Sequence, residues 1–206
     1  MKLTDLLILV CIAFSLYVWS LPDNAGFTRY AFSGYALFHG GYYTLLTGIF
    51  AHGSSVHLFG NMLFLYMFGH ILEDEEGALR TAAVFFTGGI LSFILSIPFY
   101  PGTSMVGASA AIFAVMAAVL LIRQPDFSVQ FISPAGPLAL LFFIFNIIAI
   151  QKGSIGNVAY ISHVIGFVIG LFFGARWNRK WKESLLYTLI LLAVYVVLYN
   201  YLVTII

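Results

Sequence analysis

Residues 104–121 read SMVGASAAIFAVMAAVLL, an apolar run of helix length with a hydroxyl inside its start at Ser109. At 1.5 Å per residue, about eighteen residues nearly cross a hydrocarbon core of roughly 30 Å, which puts Ser109 roughly 8 Å below the first turn. Small residues follow at Ala110, Ala111, Ala114, Ala117 and Ala118, the composition of a helix that lets neighbours come close. A serine in such a helix ordinarily bonds back to its own backbone, so any other role for Ser109 depends on what the rest of the chain brings to it.

The surrounding composition is that of an all-α polytopic membrane protein. Of 206 residues, 62% are hydrophobic and 8% charged, and the mean hydropathy is +1.01, too apolar for a soluble surface. The apolar runs are long and lack the alternation of a membrane barrel, so helices must satisfy the backbone in lipid. A net charge of +1 without exposed basic domains argues against nucleic acid as a partner. Cys11 is the lone cysteine, which excludes an intramolecular disulfide.

Outward from the central run, the pattern predicts seven spans and no separate soluble domain. Helix one covers about 6–21; its positive start at Lys2 resembles a signal peptide, but no small-x-small site precedes Pro22, so a retained helix is expected. Residues 22–51, rich in Gly, Tyr and Phe, read as a loop in the membrane interface. Helices two and three cover about 56–72 and 78–97, separated by Glu73–Glu76, an acidic cluster expected to be a solvated turn. Helix four ends near Arg123, helix five covers about 136–150, and Gly153–Asn157 forms a turn. Helix six covers about 158–175, and a seventh run covers 185–206. No inverted repeat is visible, which disfavours a transporter.

With the N-terminus cytoplasmic, Lys2, Arg80, Arg123, Arg176, Arg179, Lys180 and Lys182 lie inside, leaving Arg29 and Lys152 of the nine basic residues outside. The expected location is the cell membrane, multi-pass, with the C-terminus outside. Helices two, four and six then all begin on the outer side. Their unusual polar residues, His57 and Asn61, Ser109, and His163, fall in the first two turns. Polar side chains are costly in lipid and usually face a partner or a water-filled cavity, so this shared depth points to a site. His163, Gly166 and Gly170 follow at i, i+3 and i+7, with Gly174 extending the face. If that face meets the alanines of helix four, His163 reaches Ser109 and can act as its general base.

These residues resemble the rhomboid family of intramembrane serine proteases. The resemblance rests on His52, His57 and Asn61, on Gly107-Ala108-Ser109, and on His163-x-x-Gly166-x-x-x-Gly170, across roughly Tyr42 to Gly174. It implies a single membrane domain over 1–206, with a six-helix rhomboid core at about 5–175 plus one C-terminal transmembrane helix at about 185–206. It further implies a Ser109 nucleophile, a His163 base and oxyanion stabilisation by His57 and Asn61, with His52, Gly107, Phe113, Gly166 and Gly170 as structural residues near the site. The implied substrates are transmembrane proteins cleaved near the outer surface, often after a small residue, with membrane lipid as the other partner. No cofactor or metal is implied, and oligomeric state is left open. The sequence departs from the usual pattern at Ala110, commonly Gly, at Phe113, usually Tyr, and around Tyr43-Thr44, where a Trp-Arg pair is expected.

Independently of the family, a Ser-His-Asp triad needs a carboxylate near His163, yet apart from Asp23 the acidic residues fall at or near the inner side, leaving a dyad. G-A-S-A lacks the strand-turn-helix context of a nucleophile elbow. No H-E-x-x-H is present, and a metal site from His52, His57 and His163 would lack the acidic or thiolate ligands that often complete one. Two alternatives stand beside the protease: a catalytically silent rhomboid-like protein that binds transmembrane helices, and a small channel or metal-handling protein. In the family a substrate helix is thought to enter laterally near helix five, which makes Phe142, Phe143 and Phe145 candidate gate residues. His39 and His70 are assigned no role.

Overall fold

The computed structural model describes residues 1–122 and 160–187, together with 189, 190, 193, 194 and 197. Helix five with its three phenylalanines, the turn after it and most of the seventh run lie outside the described residues.

Four helices among the described residues are long and apolar enough to cross a membrane: Leu3–Ser20 (α1), the rod Ser55–Glu76, Ala78–Ser96 (α7) and Tyr160–Trp177 (α9). A shorter apolar helix, Ser109–Ile122 (α8), stands among them. The rod consists of α5 (Ser55–Phe64), a π-helical turn (Leu65–Gly69) and α6 (His70–Glu76). Residues 22–51 contain a 3-10 turn at Pro22–Asn24 and three short helices, α2 (Ala25–Tyr30), α3 (Gly34–Phe38) and α4 (Thr44–Phe50). The architecture is that of an all-α polytopic membrane protein, as the hydropathy predicts.

The central position of α8 follows from its composition. A helix apolar all round has no face to give to water or headgroups and sits inside the bundle; eleven residues of α8, from Ala110 to Leu121, are buried. Its neighbours meet it through their smallest residues. A Cβ added at Gly166 or Gly170 of α9 would strike the backbone carbonyl oxygen of Ala110 or Ala114, and one at Gly174 would lie 2.8 Å from the Leu121 Cβ. Across α8, a Cβ at Gly88 of α7 would strike the Ala114 methyl. The glycines of α9 therefore sit against the backbone of α8, an approach no other side chain permits. Gly166→Leu is expected to wedge the two helices apart, lowering stability by about 1–3 kcal/mol and impairing any activity shared between them. Unchanged thermal unfolding of that variant would show that the contact is not made.

The peripheral helix α1 buries Thr4, Leu7, Cys11, Ser15 and Val18, one stripe at helical spacing. Its start corrects the expectation for the acidic cluster. Glu73–Glu76 continues the rod by a full turn instead of forming a solvated turn, and Gly77, with φ 82°, ends it. Glu73 accepts hydrogen bonds from Leu3 N (2.7 Å), Thr4 N (2.8 Å) and Thr4 Oγ1 (2.7 Å). A carboxylate satisfies the orphan N–H groups at the positive end of α1, which is reason enough to keep the acidic turn folded.

Candidate active site

The expectation for the start of the central helix also requires correction. Ser104–Ala108 is not helical, and Ser109 is the first residue of α8. Gly107 has φ +116°, which no right-handed helix accommodates and which L side chains rarely adopt, so the helix cannot begin before it. The fourteen described residues of α8 cover about 21 Å. Ser109 stands at the start of this helix, with the N–H groups of a first helical turn beside it.

The chain leading down to Ser109 is held by the segment read as an interfacial loop. Phe32 and Met105 exchange backbone hydrogen bonds of 3.0 and 2.7 Å, and Gly107 N donates to Gly48 O at 2.8 Å. Ala108 N donates to His52 Nε2 over a long 3.5 Å. His52 is fully buried. Its Nδ1 faces the Phe50 carbonyl at 3.1 Å and the Ser15 hydroxyl at 3.1 Å, while Trp19 Nε1 donates to its backbone carbonyl at 2.7 Å. A carbonyl only accepts, so Nδ1 carries the proton and Nε2 is left as the acceptor for Ala108.

That neutral ring has a consequence for acid stability. Burial, and after it the neighbouring charge of His57, pushes His52 from 6.5 down to about 4. The unfolded chain binds this proton near 6.5 and the folded chain only near 4. Stability is therefore full above the upper value and falls by about 3 kcal/mol as pH drops through the window. Unfolding measured across that range is expected to show this loss, and His52→Gln, which has no titrating ring, to flatten it. Equal acid sensitivity in His52→Gln would assign the loss to other groups.

From α9, His163 meets Ser109 directly: Nε2 lies 2.7 Å from Oγ. The imidazole stacks on Phe113, with centroids 4.8 Å apart and planes at 17°, and the Tyr160 ring stands edge-on to it at 6.1 Å and 90°. The ring is thus oriented from two sides, by α8 and by its own helix one turn earlier. His163 is buried, with 6% exposure. A hydroxyl bonded to an imidazole nitrogen is the pairing in which the ring can take the hydroxyl proton as oxygen attacks.

The rod supplies His57 and Asn61 from one face. Both converge on Gly107: a Cβ there would lie 2.9 Å from His57 Nε2 and 3.5 Å from Asn61 Nδ2. Asn61 is buried, and its Nδ2 has no hydrogen-bond partner among the described residues. A buried amide donor without a partner is costly, and this one lies beside Gly107, two residues before Ser109.

Ser109, His163, Phe113, His57, Asn61, Gly107 and His52 are brought into one cluster, and Gly166 and Gly170 set the helix contact behind it. Of the two histidines without an assigned role, His39 stacks on Tyr35 at 4.0 Å and His70 Nε2 faces Asp5 at 3.0 Å. Sequence reasoning passed over Tyr160, although its place three residues before His163 on a helix was a readable signal. It also passed over Ser15, Trp19 and Gly48, whose links to the site are tertiary and carry no local pattern.

An all-helical membrane protein with a serine and a histidine paired between two closely packed helices defines a narrow class. The sequence matches the family described as Rhomboid domain over residues 39–180, and the chain belongs to the rhomboid family. Similar proteins in Arabidopsis thaliana include Rhomboid-like protein 11, chloroplastic (32% identical over 84 residues, 40% of this chain and 30% of the relative). RHOMBOID-like protein 2 is 29% identical over 123 residues, 60% of this chain and 38% of the relative. A protein named Inactive RHOMBOID-like protein 8 is 28% identical over 103 residues, 50% of this chain and 29% of the relative. The matched part thus spans between 29 and 38% of the length of these relatives.

Proposed function

We propose that the protein is an intramembrane serine endopeptidase that cleaves transmembrane helical substrates near the outer membrane face through a Ser109–His163 dyad. The 2.7 Å approach of His163 Nε2 to Ser109 Oγ, made between two membrane helices, carries this reading. Ser109 Oγ attacks the scissile carbonyl carbon while its proton passes to His163 Nε2. The developing oxyanion accepts hydrogen bonds from Asn61 Nδ2, His57 and the Ser109 backbone N–H. Collapse of the tetrahedral species breaks the C–N bond, and His163 returns the proton to the leaving amine. Water then attacks the acyl-enzyme by the same route, releasing the acid and restoring the Ser109 hydroxyl. The segregation of Lys2, Arg80 and Arg176–Lys182 to the end opposite Ser109 supports a cytoplasmic N-terminus and a site opening outward.

A second reading, a silent rhomboid-like protein that binds transmembrane helices, is favoured by the similarity to a relative named inactive. A fluorophosphonate probe separates the two. The protease reading expects covalent labelling of Ser109 together with cleavage of at least one substrate from a panel of helical membrane proteins. Absence of both in folded protein would leave the binding role.

A further inference from the structure

The end of the bundle opposite Ser109 carries charges of both signs, and they are used unequally. Four of its carboxylates are engaged within the fold, while Glu75 is exposed. Glu73 caps α1, Asp74 pairs with Lys2 at 2.6 Å, Glu76 pairs with Arg80, and Asp5 accepts from Lys2 N at 3.1 Å and faces His70 at 3.0 Å. Arg176, Arg179, Lys180 and Lys182 are exposed and make no ion pair among the described residues. Within 176–187 they are opposed only by the carboxylate of Glu183.

The segment that carries them is pinned in place. Asn178 Nδ2 donates to the Leu121 carbonyl at the end of α8 (2.6 Å) and contacts Ser184 Oγ (3.3 Å), while its Oδ1 accepts from Lys180 N at 2.9 Å. Residues 181–187 continue as helix, with Ser184 buried. Two tryptophans flank the turn. Trp177 lies under Arg80 with 5.1 Å from the guanidinium carbon to the ring centroid, and Lys182 lies over Trp181 at 5.8 Å. Tryptophan at the end of a spanning helix sits at headgroup depth, so the four exposed cations are held in the layer where lipid phosphates lie.

We propose that this corner, formed by Arg176, Arg179, Lys180 and Lys182 beside Trp177 and Trp181, binds the headgroups of anionic phospholipids. The occupant is set by charge and depth together. A phosphodiester anchored in the same leaflet supplies negative charge where the turn presents the cations. A zwitterionic headgroup carries no net charge to offer.

The test uses the full chain in phosphatidylcholine vesicles containing a minor fraction of phosphatidylglycerol. Bromine is placed on the acyl chains of either lipid at the same mole fraction, and quenching of tryptophan fluorescence, after subtraction of the Trp19 signal of a variant combining Trp177→Phe and Trp181→Phe, reports which lipid lies beside Trp177 and Trp181. One fully engaged cation enriches an anionic lipid roughly fivefold near the surface, so brominated phosphatidylglycerol is expected to quench at least about twofold more than brominated phosphatidylcholine. The excess should disappear in high salt and in a variant combining Arg176→Gln, Arg179→Gln, Lys180→Gln and Lys182→Gln. Equal quenching of the unaltered protein by the two lipids overturns the proposal without recourse to any variant. Should the combined variant not fold, Arg179→Gln and Lys180→Gln singly, both on the exposed turn, should each reduce the excess; an excess unmoved by either places the lipid elsewhere and also overturns it.

Discussion

Ser109→Ala is expected to abolish substrate cleavage, a loss on the order of 10⁴-fold or more, and His163→Ala to do the same. The reason lies in the shared proton. With Oγ and Nε2 at 2.7 Å, the hydroxyl is nucleophilic only while the ring can take its proton, and the ring does nothing useful without the hydroxyl. Two groups that act as one unit are lost together, so the double variant should be scarcely worse than either single one. Losses that multiply would mean that the residues act separately. Cleavage surviving in Ser109→Ala, in protein freed of other proteases, would end the serine mechanism outright. Fluorophosphonate labelling should vanish in both single variants for the same reason.

Asn61→Ala and His57→Ala are expected to lower turnover by about 10² to 10³, the usual cost of one oxyanion donor in a site shielded from water. Stability should separate this role from a structural one. Asn61 Nδ2 is buried without a partner among the described residues, so its removal relieves a desolvation cost and leaves thermal unfolding unchanged or raised. An asparagine that held two helices together would show the opposite, a lowered unfolding temperature with activity falling in step. Chelators should leave turnover unaltered. If His57 instead ligated a metal, chelation would reproduce the effect of its mutation, and Ser109→Ala would remain active.

Among the described residues, the membrane-length helices were largely legible because the burial of apolar runs is a local property. The boundaries of α1 and α7 fall within a few residues of those read from hydropathy. The errors occur where one residue's backbone or a distant partner decides the outcome. Residues 104–108 are apolar enough to be helical, but Gly107 takes a positive φ against His57 and Asn61 of the rod, and the helix starts at Ser109. The acidic cluster looks like a solvated turn until Glu73 is seen capping a helix that begins seventy residues earlier.

The amino-acid sequence alone determined the class of the protein, since polar backbone in lipid leaves few choices and composition decides which runs enter. It also pointed to His57, Asn61, Ser109 and His163 as polar residues near the starts of their helices, because helical rise converts residue spacing into depth. Only the tertiary structure decided which of them meet. The contact of His163 with Ser109 depends on how closely α9 approaches the backbone of α8. The setting of Ser109 depends on backbone hydrogen bonds exchanged between Phe32 and Met105 and on those that Gly107 N and Ala108 N donate to Gly48 O and His52 Nε2. Those partners are remote in sequence and follow no period, so only three-dimensional packing brings them together.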